Sequence, residues 1–228
     1  RYVDPVTNLA LDTINKDKQA LVFVNTKRSA EKSAEEISKK IKNVNLSGIS
    51  EKAKKALSRP TKQCERLAKC LKAGIAFHHA GLHSKQKELI ESNFREGKIK
   101  IICCTPTLAA GVDLPAFRAI IRDVARFTSR GMQPIPVLEY LQMAGRAGRP
   151  SFDKHGEAIV TTSSDAEKSS VFEKFVLGEP EDIFSKLAVE PVLRTYLLSL
   201  ISTKVIQSKE EIYDFFAKTF WAYQFKDM

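Results

Sequence analysis

The sequence predicts an α/β domain built on a parallel sheet, followed by a shorter all-helical segment. Short apolar runs recur along the first 180 residues, and amphipathic stretches separate them. This alternation is typical of strands that are connected by helices. The runs are continuous rather than alternating, as in strands buried on both faces of a parallel sheet. Beyond Pro180 no strand is predicted, and two helical patterns follow one another directly.

The predicted strands share a continuous apolar composition, and turn or cap residues limit each of them. They lie at 20–24, 75–79, 99–104, 119–121 and 158–160. Between them, helices are predicted from apolar residues at helical spacing. The first covers 6–15, and the second has Ala30, Ala34, Ile37 and Ile41 on its apolar face.

The remaining helices of this part are defined by their end signals, which are caps or proline at the start and glycine at the stop. These signals are Thr26 before the second helix, Gly74 after a helix at 64–71, Ser84 and Gly97 around the next helix, and Pro136 as the first residue of the last.

Two helices are predicted in the tail, at 192–201 and 212–223. Ser208 begins a capping-box pattern before the second of them. We therefore expect residues 1–182 to form one domain. We expect residues 183–228 to begin a second all-helical or winged-helix domain that is cut short.

Composition excludes two classes of protein. The chain has 228 residues and 43% hydrophobic content, which argues against disorder. No stretch approaches the roughly 18 apolar residues of a membrane span, which excludes an integral membrane protein. The chain begins with neither a signal peptide nor Met, so we expect a fragment or a processed product. The four cysteines match no zinc pattern, and we expect reduced thiols of a cytosolic protein.

Positive charge is concentrated between Lys27 and Lys72, where 14 basic residues stand against 5 acidic ones. The whole chain has a net charge of +10, so this stretch holds most of the surplus. A basic stripe suits a polyanionic partner. A solvated lysine-rich surface would have the same composition, and charge alone leaves both interpretations open.

The string QMAGRAGRP at 142–150 carries the strongest chemical signal. On a helix, Gln142, Arg146 and Arg149 would share one face, because they are spaced by four and three residues. Two guanidinium groups on one face can hold phosphate oxygens and stabilise transition-state charge. Two arginines alone would indicate surface ion pairs, but the whole string indicates a triphosphate site.

A second string, TPTLAAGVDLP at 105–115, directly follows a predicted strand. Loops at the carboxyl ends of strands are where α/β sheets bind ligands. Thr105 and Thr107 can donate hydroxyl groups, and amides at the start of a short helix favour phosphate. Asp113 can accept a hydrogen bond from a ribose hydroxyl. An ordinary strand–loop, with Asp113 as a cap, is the alternative.

Two other segments bear on function. Residues 122–135 predict a hairpin, since Gly131 marks a turn between extended halves. His78 and His79 are adjacent on a predicted strand, so their side chains point apart and we expect no metal site.

The motifs that bind and hydrolyse a nucleotide on their own are missing from these residues. A P-loop needs GxxxxGK[ST], but Gly97-Lys98 is followed by Ile99, and no DExx string is found. We expect half of an ATP site and no ATP hydrolysis by the chain alone.

These strings resemble motifs V and VI in the second RecA-like domain of superfamily 2 helicases. LVFVNTKRSAE (21–31) resembles motif IV, and FHHAGL (77–82) resembles the next motif. TPTLAAGVDLPA with QMAGRAGRP indicates the Ski-like branch, and within it the archaeal DNA helicases of the Hjm type and the related helicase domain of DNA polymerase theta. The tail, with FVLGEPEDIFSKL, LRTYLLSLI and FWAYQ, is similar to that family's passage into a winged-helix domain. The resemblance implies a RecA-like fold with a β-hairpin insertion.

The resemblance also implies roles for individual residues. Arg149 would be the arginine finger on the γ-phosphate of ATP, with Arg146 beside it, and Gln142 would couple the nucleotide to the domain interface. Gly111 and Asp113 would face the nucleotide. The residues implied along a single-strand path are Asn25, Thr26, Arg28, His79, Gly81, Thr105 and Thr107.

In that family the hairpin insertion is a wedge that parts the duplex. Phe127, Met132 or Ile135 would then lie at its tip and stack on an opening base pair. A simple solvent-exposed hairpin is the alternative.

The implied function is that of an ATP-dependent DNA helicase that moves 3′ to 5′ on single-stranded DNA and opens forked duplexes in replication-fork repair. ATP and Mg²⁺ would be its cofactors, with the Mg²⁺ ligands on a first RecA-like domain. The implied partners are single-stranded and forked DNA, that first domain, and replication or repair proteins, in the cytoplasm beside the nucleoid. An RNA helicase of the Ski-like branch and a non-catalytic RecA-like binding module are the alternatives.

Overall fold

A computed structural model describes residues 4–42, 44–150 and 152–225. The chain divides into two units, Arg1–Pro180 and Glu181–Met228. The α-helices of the first unit are α1 Pro5–Asn15, α2 Lys27–Ser38, α3 Ser47–Lys55, α4 Lys62–Lys72, α5 Ser84–Arg95, α6 Thr107–Gly111, α7 Val137–Ala144 and α8 Asp165–Val171, and a π-helical turn at Phe172–Val176 follows α8. Its strands are β1 Ala20–Phe23, β2 Ile75–His78, β3 Ile101–Cys104, β4 Arg118–Ile121, β5 Ala125–Thr128, β6 Gly131–Pro134 and β7 Glu157–Val160.

A five-stranded parallel sheet forms the centre of the first unit. Its strand order is β2-β3-β1-β4-β7, and each neighbouring pair is parallel. In the central strand β1, Val22 aligns with Cys103 on one side and with Ile120 on the other. Strands β1 to β4 are buried along their whole length, as expected for a parallel sheet covered by helices. The predicted α/β fold is therefore confirmed.

Helix ends follow local signals at most predicted positions. The Thr26 hydroxyl accepts a hydrogen bond from the Ser29 N–H at 3.0 Å and caps α2. Gly74 follows α4 with φ of +73°, a conformation that favours glycine. At α5 the cap is His83 rather than the predicted Ser84, because its ring and Gln86 form a capping box.

Helix α3 lies in a stretch where the sequence predicts no element. Its cap position, Leu46, makes no side-chain hydrogen bond, and Gly48 lowers its intrinsic helix propensity. Tertiary packing stabilises it instead, since Ser50 and Ala53 are buried and the Ser50 hydroxyl donates to the carbonyl of Ala68 at 2.8 Å.

The predicted hairpin is formed by strands β5 and β6. The two strands are antiparallel, with Phe127 opposite Met132 and Thr128 opposite Gly131. Gly131 has φ of +89°, which explains why glycine occupies the turn. The hairpin directly follows β4 and leads into α7, so it projects from the carboxyl edge of the sheet.

The second unit is helical in the residues described. It contains a 3-10 turn at Lys186–Ala188 and helices α9 Glu190–Ser202, α10 Lys209–Ala217 and α11 Phe220–Gln224. The single helix predicted at 212–223 is interrupted, because the Thr219 hydroxyl caps α11 by accepting from the Ala222 N–H. That this unit begins a winged-helix domain stays a prediction.

Two further observations concern the cysteines and the length of the helices. The cysteines are free and buried, and burial raises the pKa of the Cys70 thiol to about 12. Among the described residues, no helix combines the length and the apolar composition that a membrane crossing requires.

Candidate functional site

The loops that follow β1, β2 and β3 open into one cleft of about 530 Å³, the carboxyl-edge cleft. The topology brings them together, because parallel strands end at the same edge of the sheet. Its lining residues are Asn25, Thr26, Lys27, Ala80, Thr105, Pro106, Thr107, Arg126, Glu139 and Gln142. Four residues predicted along a strand path therefore share one cleft with Gln142.

Hydroxyl groups are the main polar feature of this cleft. The Thr105 and Thr107 oxygens lie 2.9 Å apart and share one hydrogen bond, which leaves one hydroxyl proton free for a ligand. Lys27 lines the cleft, and the neighbouring Arg28 is exposed. This arrangement suits phosphate oxygens and reads no base edge.

Asn25 is engaged by the hairpin. Its backbone N–H donates to Asp123 Oδ2 at 3.1 Å, and its side-chain amide donates to the carbonyl of Ala125, the first residue of β5. The Asp123 carboxylate is itself held by Arg122 at 2.7 and 3.0 Å. Asn25 thus ties the loop after β1 to the base of the hairpin.

The two histidines point to different helices, as the strand geometry predicts. His78 Nε2 lies 3.0 Å from Glu91 on α5, and His79 Nε2 lies 3.2 Å from Glu31 on α2. The His79 ring is buried, so it cannot lie along a strand path on the surface as expected. Its Nδ1 instead accepts the Gly81 N–H at 3.1 Å and shapes the loop before α5. Burial lowers the pKa of His79, which favours this neutral form.

The hairpin tip has two of the three predicted apolar residues. Phe127 is 81% exposed and Met132 is 65% exposed, and they face each other across the two strands. The expectation for Ile135 is wrong, since that residue is 1% exposed. Its N–H donates to the Val124 carbonyl at 2.9 Å, which places it at the base of the hairpin, with its side chain in the core.

The string at 142–150 does not form one helix, so the predicted shared face is wrong. Helix α7 ends at Ala144 with Gly145 as its C-cap, and Arg146 and Arg149 lie in the loop that follows. Gly148, with φ of +94°, turns this loop away from the helical path. Gln142 consequently lines the carboxyl-edge cleft, whereas Arg149 lines a different one.

Arg146 joins the two motif strings. Its Nη1 donates to Asp113 Oδ1 at 3.0 Å, and its Nε donates to the carbonyl of Ala109 at 3.1 Å. Asp113 is 91% exposed and Gly111 is exposed, so this pair faces solvent. The structure therefore joins Arg146 to Asp113, two of the residues predicted at the nucleotide, and leaves Gly111 exposed two residues before Asp113.

Arg149 lies at the opposite edge of the sheet, in a cleft of about 450 Å³ that we call the amino-edge cleft. Its Nε donates to Asp153 Oδ2 and its Nη1 donates to Gln19 Oε1, both at 2.7 Å. Asp153 is 1% exposed and also binds Lys18 at 2.7 Å. The Arg149 hydrogen bond, helped by Lys18, lowers the pKa of Asp153 to about 2.

Sequence reasoning missed the residues that hold Arg149. Asp153 follows it by four residues, a spacing that indicates a local ion pair. Gln19 gives no such signal, because it reaches Arg149 through the fold and its own amide donates to the carbonyls of Phe94 and Ile99.

A close backbone approach supports the same loop. A Cβ atom placed on Gly156 would lie 2.3 Å from the backbone nitrogen of Gly148. The two glycines let the loop cross the start of β7, and a side chain at Gly156 would push it away. Within the part of the chain described, no group of three or more His, Cys, Asp or Glu side chains is arranged to hold a metal ion.

Comparisons with known proteins identify helicases as relatives of this chain. Residues 52–151 match the family model described as "Helicase conserved C-terminal domain". Over 96% of its length the chain is 48% identical to proteins named "ATP-dependent DNA helicase Hel308" from Pyrococcus horikoshii and Pyrococcus abyssi. It is 43% identical over 99% of its length to the protein of that name from Methanocella arvoryzae. The chain spans 31% of the length of each of these relatives.

Proposed function

The chain carries the C-terminal RecA-like domain of an archaeal Ski-like superfamily 2 helicase, and from this premise we propose that it acts as one motor domain of an ATP-dependent DNA helicase. The observation that carries the proposal is the carboxyl-edge cleft, where loops from three strands and the base of a hairpin meet. The relatives are named as DNA helicases, which favours DNA over RNA.

The carboxyl-edge cleft binds the backbone of a single strand in this proposal. The one free hydroxyl proton of the Thr105–Thr107 pair is donated to a phosphate oxygen, and Lys27 in the cleft and the neighbouring exposed Arg28 supply positive charge. Phosphate contacts of this kind position a strand without selecting a sequence, as translocation requires. Thr26 and Asn25 order the loop beside them.

The loop that carries Arg146 and Arg149 completes an ATP site whose other half lies on a first RecA-like domain. Arg146 presents its guanidinium beside the exposed Asp113, a pairing that suits phosphate and ribose groups. Arg149 is the arginine finger in this proposal, and Gln142 links the two clefts through α7. An arginine finger accelerates phosphoryl transfer by roughly 10³–10⁵ where its effect is known.

Closure of the two motor domains accounts for the energy coupling. The loop after α7 that carries Arg146 and Arg149 is called the arginine loop. Bringing it onto the phosphates excludes water and stabilises the transition state only when the domains are aligned. We propose that strand binding favours this alignment, so that hydrolysis depends on DNA. Mg²⁺ would be held by the first domain. Movement 3′ to 5′ along forked DNA belongs to the same proposal, as does a location in the cytoplasm beside the nucleoid.

The proposal is tested by ATP hydrolysis of the full-length protein without nucleic acid, with single-stranded DNA and with single-stranded RNA. We expect DNA to stimulate hydrolysis and Arg149→Ala to abolish the stimulation. Stimulation by RNA alone would support an RNA helicase, and no hydrolysis under any condition would support a binding module. The 228-residue chain serves as a negative control, because it lacks a P-loop.

A second measurement addresses the strand path in the chain itself. Thr105→Val and Thr107→Val together should weaken binding of a fluorescent oligonucleotide by about tenfold, because both hydroxyls leave the cleft. Thr195→Val, on α9 of the second unit, is the matched control, since that hydroxyl bonds the carbonyl of Pro191. Equal affinity of the double variant and the control would contradict the proposed path.

A further inference from the structure

The hairpin is held at its base by two contacts from different elements. On one side, Asn25 bonds the Ala125 carbonyl and receives support from Asp123. On the other side, Arg126 of β5 donates from Nη1 to both carboxylate oxygens of Glu139, at 2.9 and 3.0 Å. Arg126 precedes the exposed Phe127 in β5, so the second contact lies one residue farther from the base than the first.

Glu139 sits in the first turn of α7, three residues before Gln142. Residues at this spacing lie on the same side of a helix, and both line the carboxyl-edge cleft. The arginine loop begins where α7 ends. One short helix therefore connects the hairpin contact at its start with the arginine loop at its end.

The contact at Glu139 is bifurcated, because one nitrogen, Nη1 of Arg126, donates to both carboxylate oxygens. It is charge-assisted and holds Arg126 against the first turn of α7. Glu139 is the more enclosed partner, whereas Arg126 is about half exposed. Among the described residues, Glu139 is the only one that forms an ion pair with Arg126.

We propose that Arg126 and Glu139 are positioning residues that lock the hairpin to α7, so that movement of the arginine loop during the ATP cycle also moves the hairpin tip. The inference rests on the proposed helicase function. Neither residue acts on the nucleotide. The pair determines how much strand separation results from each hydrolysed ATP.

The test is a charge-swap series in the full-length protein: Arg126→Glu, Glu139→Arg and the double variant. The quantity measured is the number of base pairs opened on a forked duplex for each ATP hydrolysed. We expect each single variant to lower this ratio by about threefold or more, and the double variant to restore most of it, as coupled residues do.

Arg130→Glu is the matched control. It makes the same charge change on the same hairpin, and no ion pair of Arg130 is found among the described residues. Combining it with Glu139→Arg should give no restoration. Restoration with Arg126→Glu but not with Arg130→Glu would show that Glu139 pairs with position 126 specifically.

Two results would overturn the inference. A parallel fall in ATP hydrolysis and unwinding, with an unchanged ratio, would mean that the pair only stabilises the fold. A lowered ratio that the double variant fails to restore would mean that Arg126 acts on DNA rather than through Glu139. Absence of DNA-stimulated hydrolysis in the unmodified protein would instead refute the proposed function, and the inference with it.

Discussion

Arg149 and Asp153 form a two-point ion pair at the amino edge of the sheet. Nε lies 2.7 Å from Oδ2, and Nη2 lies 3.2 Å from Oδ1. The Asp153 N–H also donates to the Arg149 carbonyl at 2.8 Å, so a tight turn presents the two side chains to each other. The position of the proposed arginine finger is therefore determined by a buried carboxylate.

Replacing Asp153 with Asn should lower the free energy of unfolding by about 2–4 kcal/mol, because two cations lose a buried partner. Urea denaturation of the chain measures this change. Asp113→Asn is the control: that carboxylate is exposed, so its loss should change stability by no more than about 0.5 kcal/mol. A similar effect of both substitutions would contradict the structural role of Asp153.

Protonation of the Asp153 carboxylate should lower the free energy of unfolding at acid pH. The pKa of Asp153 is about 2 in the folded chain and 3.8 in the unfolded reference, so the unfolded chain takes up the proton first. Its contribution of about 2 kcal/mol is complete above about pH 5 and is mostly lost as the pH falls to about 2. Stability curves of the unmodified chain and of Asp153→Asn should therefore converge over this range. A constant difference between them would exclude the ion pair.

Substitution of Gly156 by Ala should destabilise the first unit by about 2–4 kcal/mol, because the new methyl group would overlap the Gly148 backbone. Gly48→Ala provides the opposite expectation. No atom lies within 4 Å of a Cβ there, and alanine in helix α3 should stabilise the chain by about 0.5–1 kcal/mol. Thermal unfolding of both variants measures these two stability changes. If both substitutions changed stability in the same direction, the close approach at Gly156 would be absent.

Truncation of the hairpin tip should separate strand opening from strand binding. Phe127→Ala with Met132→Ala removes the exposed pair, and we expect unwinding by the full-length protein to fall about tenfold while single-strand affinity changes by less than about twofold. Ile135→Ala serves as the contrast, since it removes a buried side chain and should cost about 2–5 kcal/mol of stability. Normal unwinding by the tip variant would refute the wedge.

Loss of Arg146 and loss of Arg149 should differ in their effect on the stability of the fold. Arg146→Ala leaves an exposed carboxylate and also removes a donor from the Ala109 carbonyl, so it should cost about 0.5–1.5 kcal/mol. Arg149→Ala leaves the buried Asp153 with Lys18 alone and should cost about 1–3 kcal/mol. If both act on phosphate, each lowers ATP turnover of the full-length protein by about 10³. Normal ATP turnover by either alanine variant would show that the substituted arginine does not act on phosphate.

The fold was predictable because its signals are local and repeated. Continuous apolar runs marked every strand of the main sheet, and caps or glycines marked most helices. Helix α3 escaped prediction because its stability comes from packing on α4 rather than from its own sequence. The helix at 212–223 was predicted too long, since periodicity continues through the Thr219 cap.

For the candidate site, the sequence predicts which residue types are present but not which of them are exposed. Hydroxyl and arginine residues stand in recognisable strings, so their identity follows from the sequence. Their burial does not. His79 and Ile135 lie in strings that indicate function, yet the tertiary structure buries both, because neighbouring elements cover the end of β2 and the base of the hairpin.

By itself, the sequence determined the α/β architecture, the family resemblance and the residue types available for phosphate and strand contacts. Tertiary structure alone decided where these groups point. Gly145 ends a helix and Gly148 turns the chain, which separates Gln142 from Arg149 and brings Arg149 against Asp153 and Gln19. The physical reason is that propensity and periodicity act over a few residues, whereas ion pairs and close backbone contacts depend on residues that only the folded chain brings together.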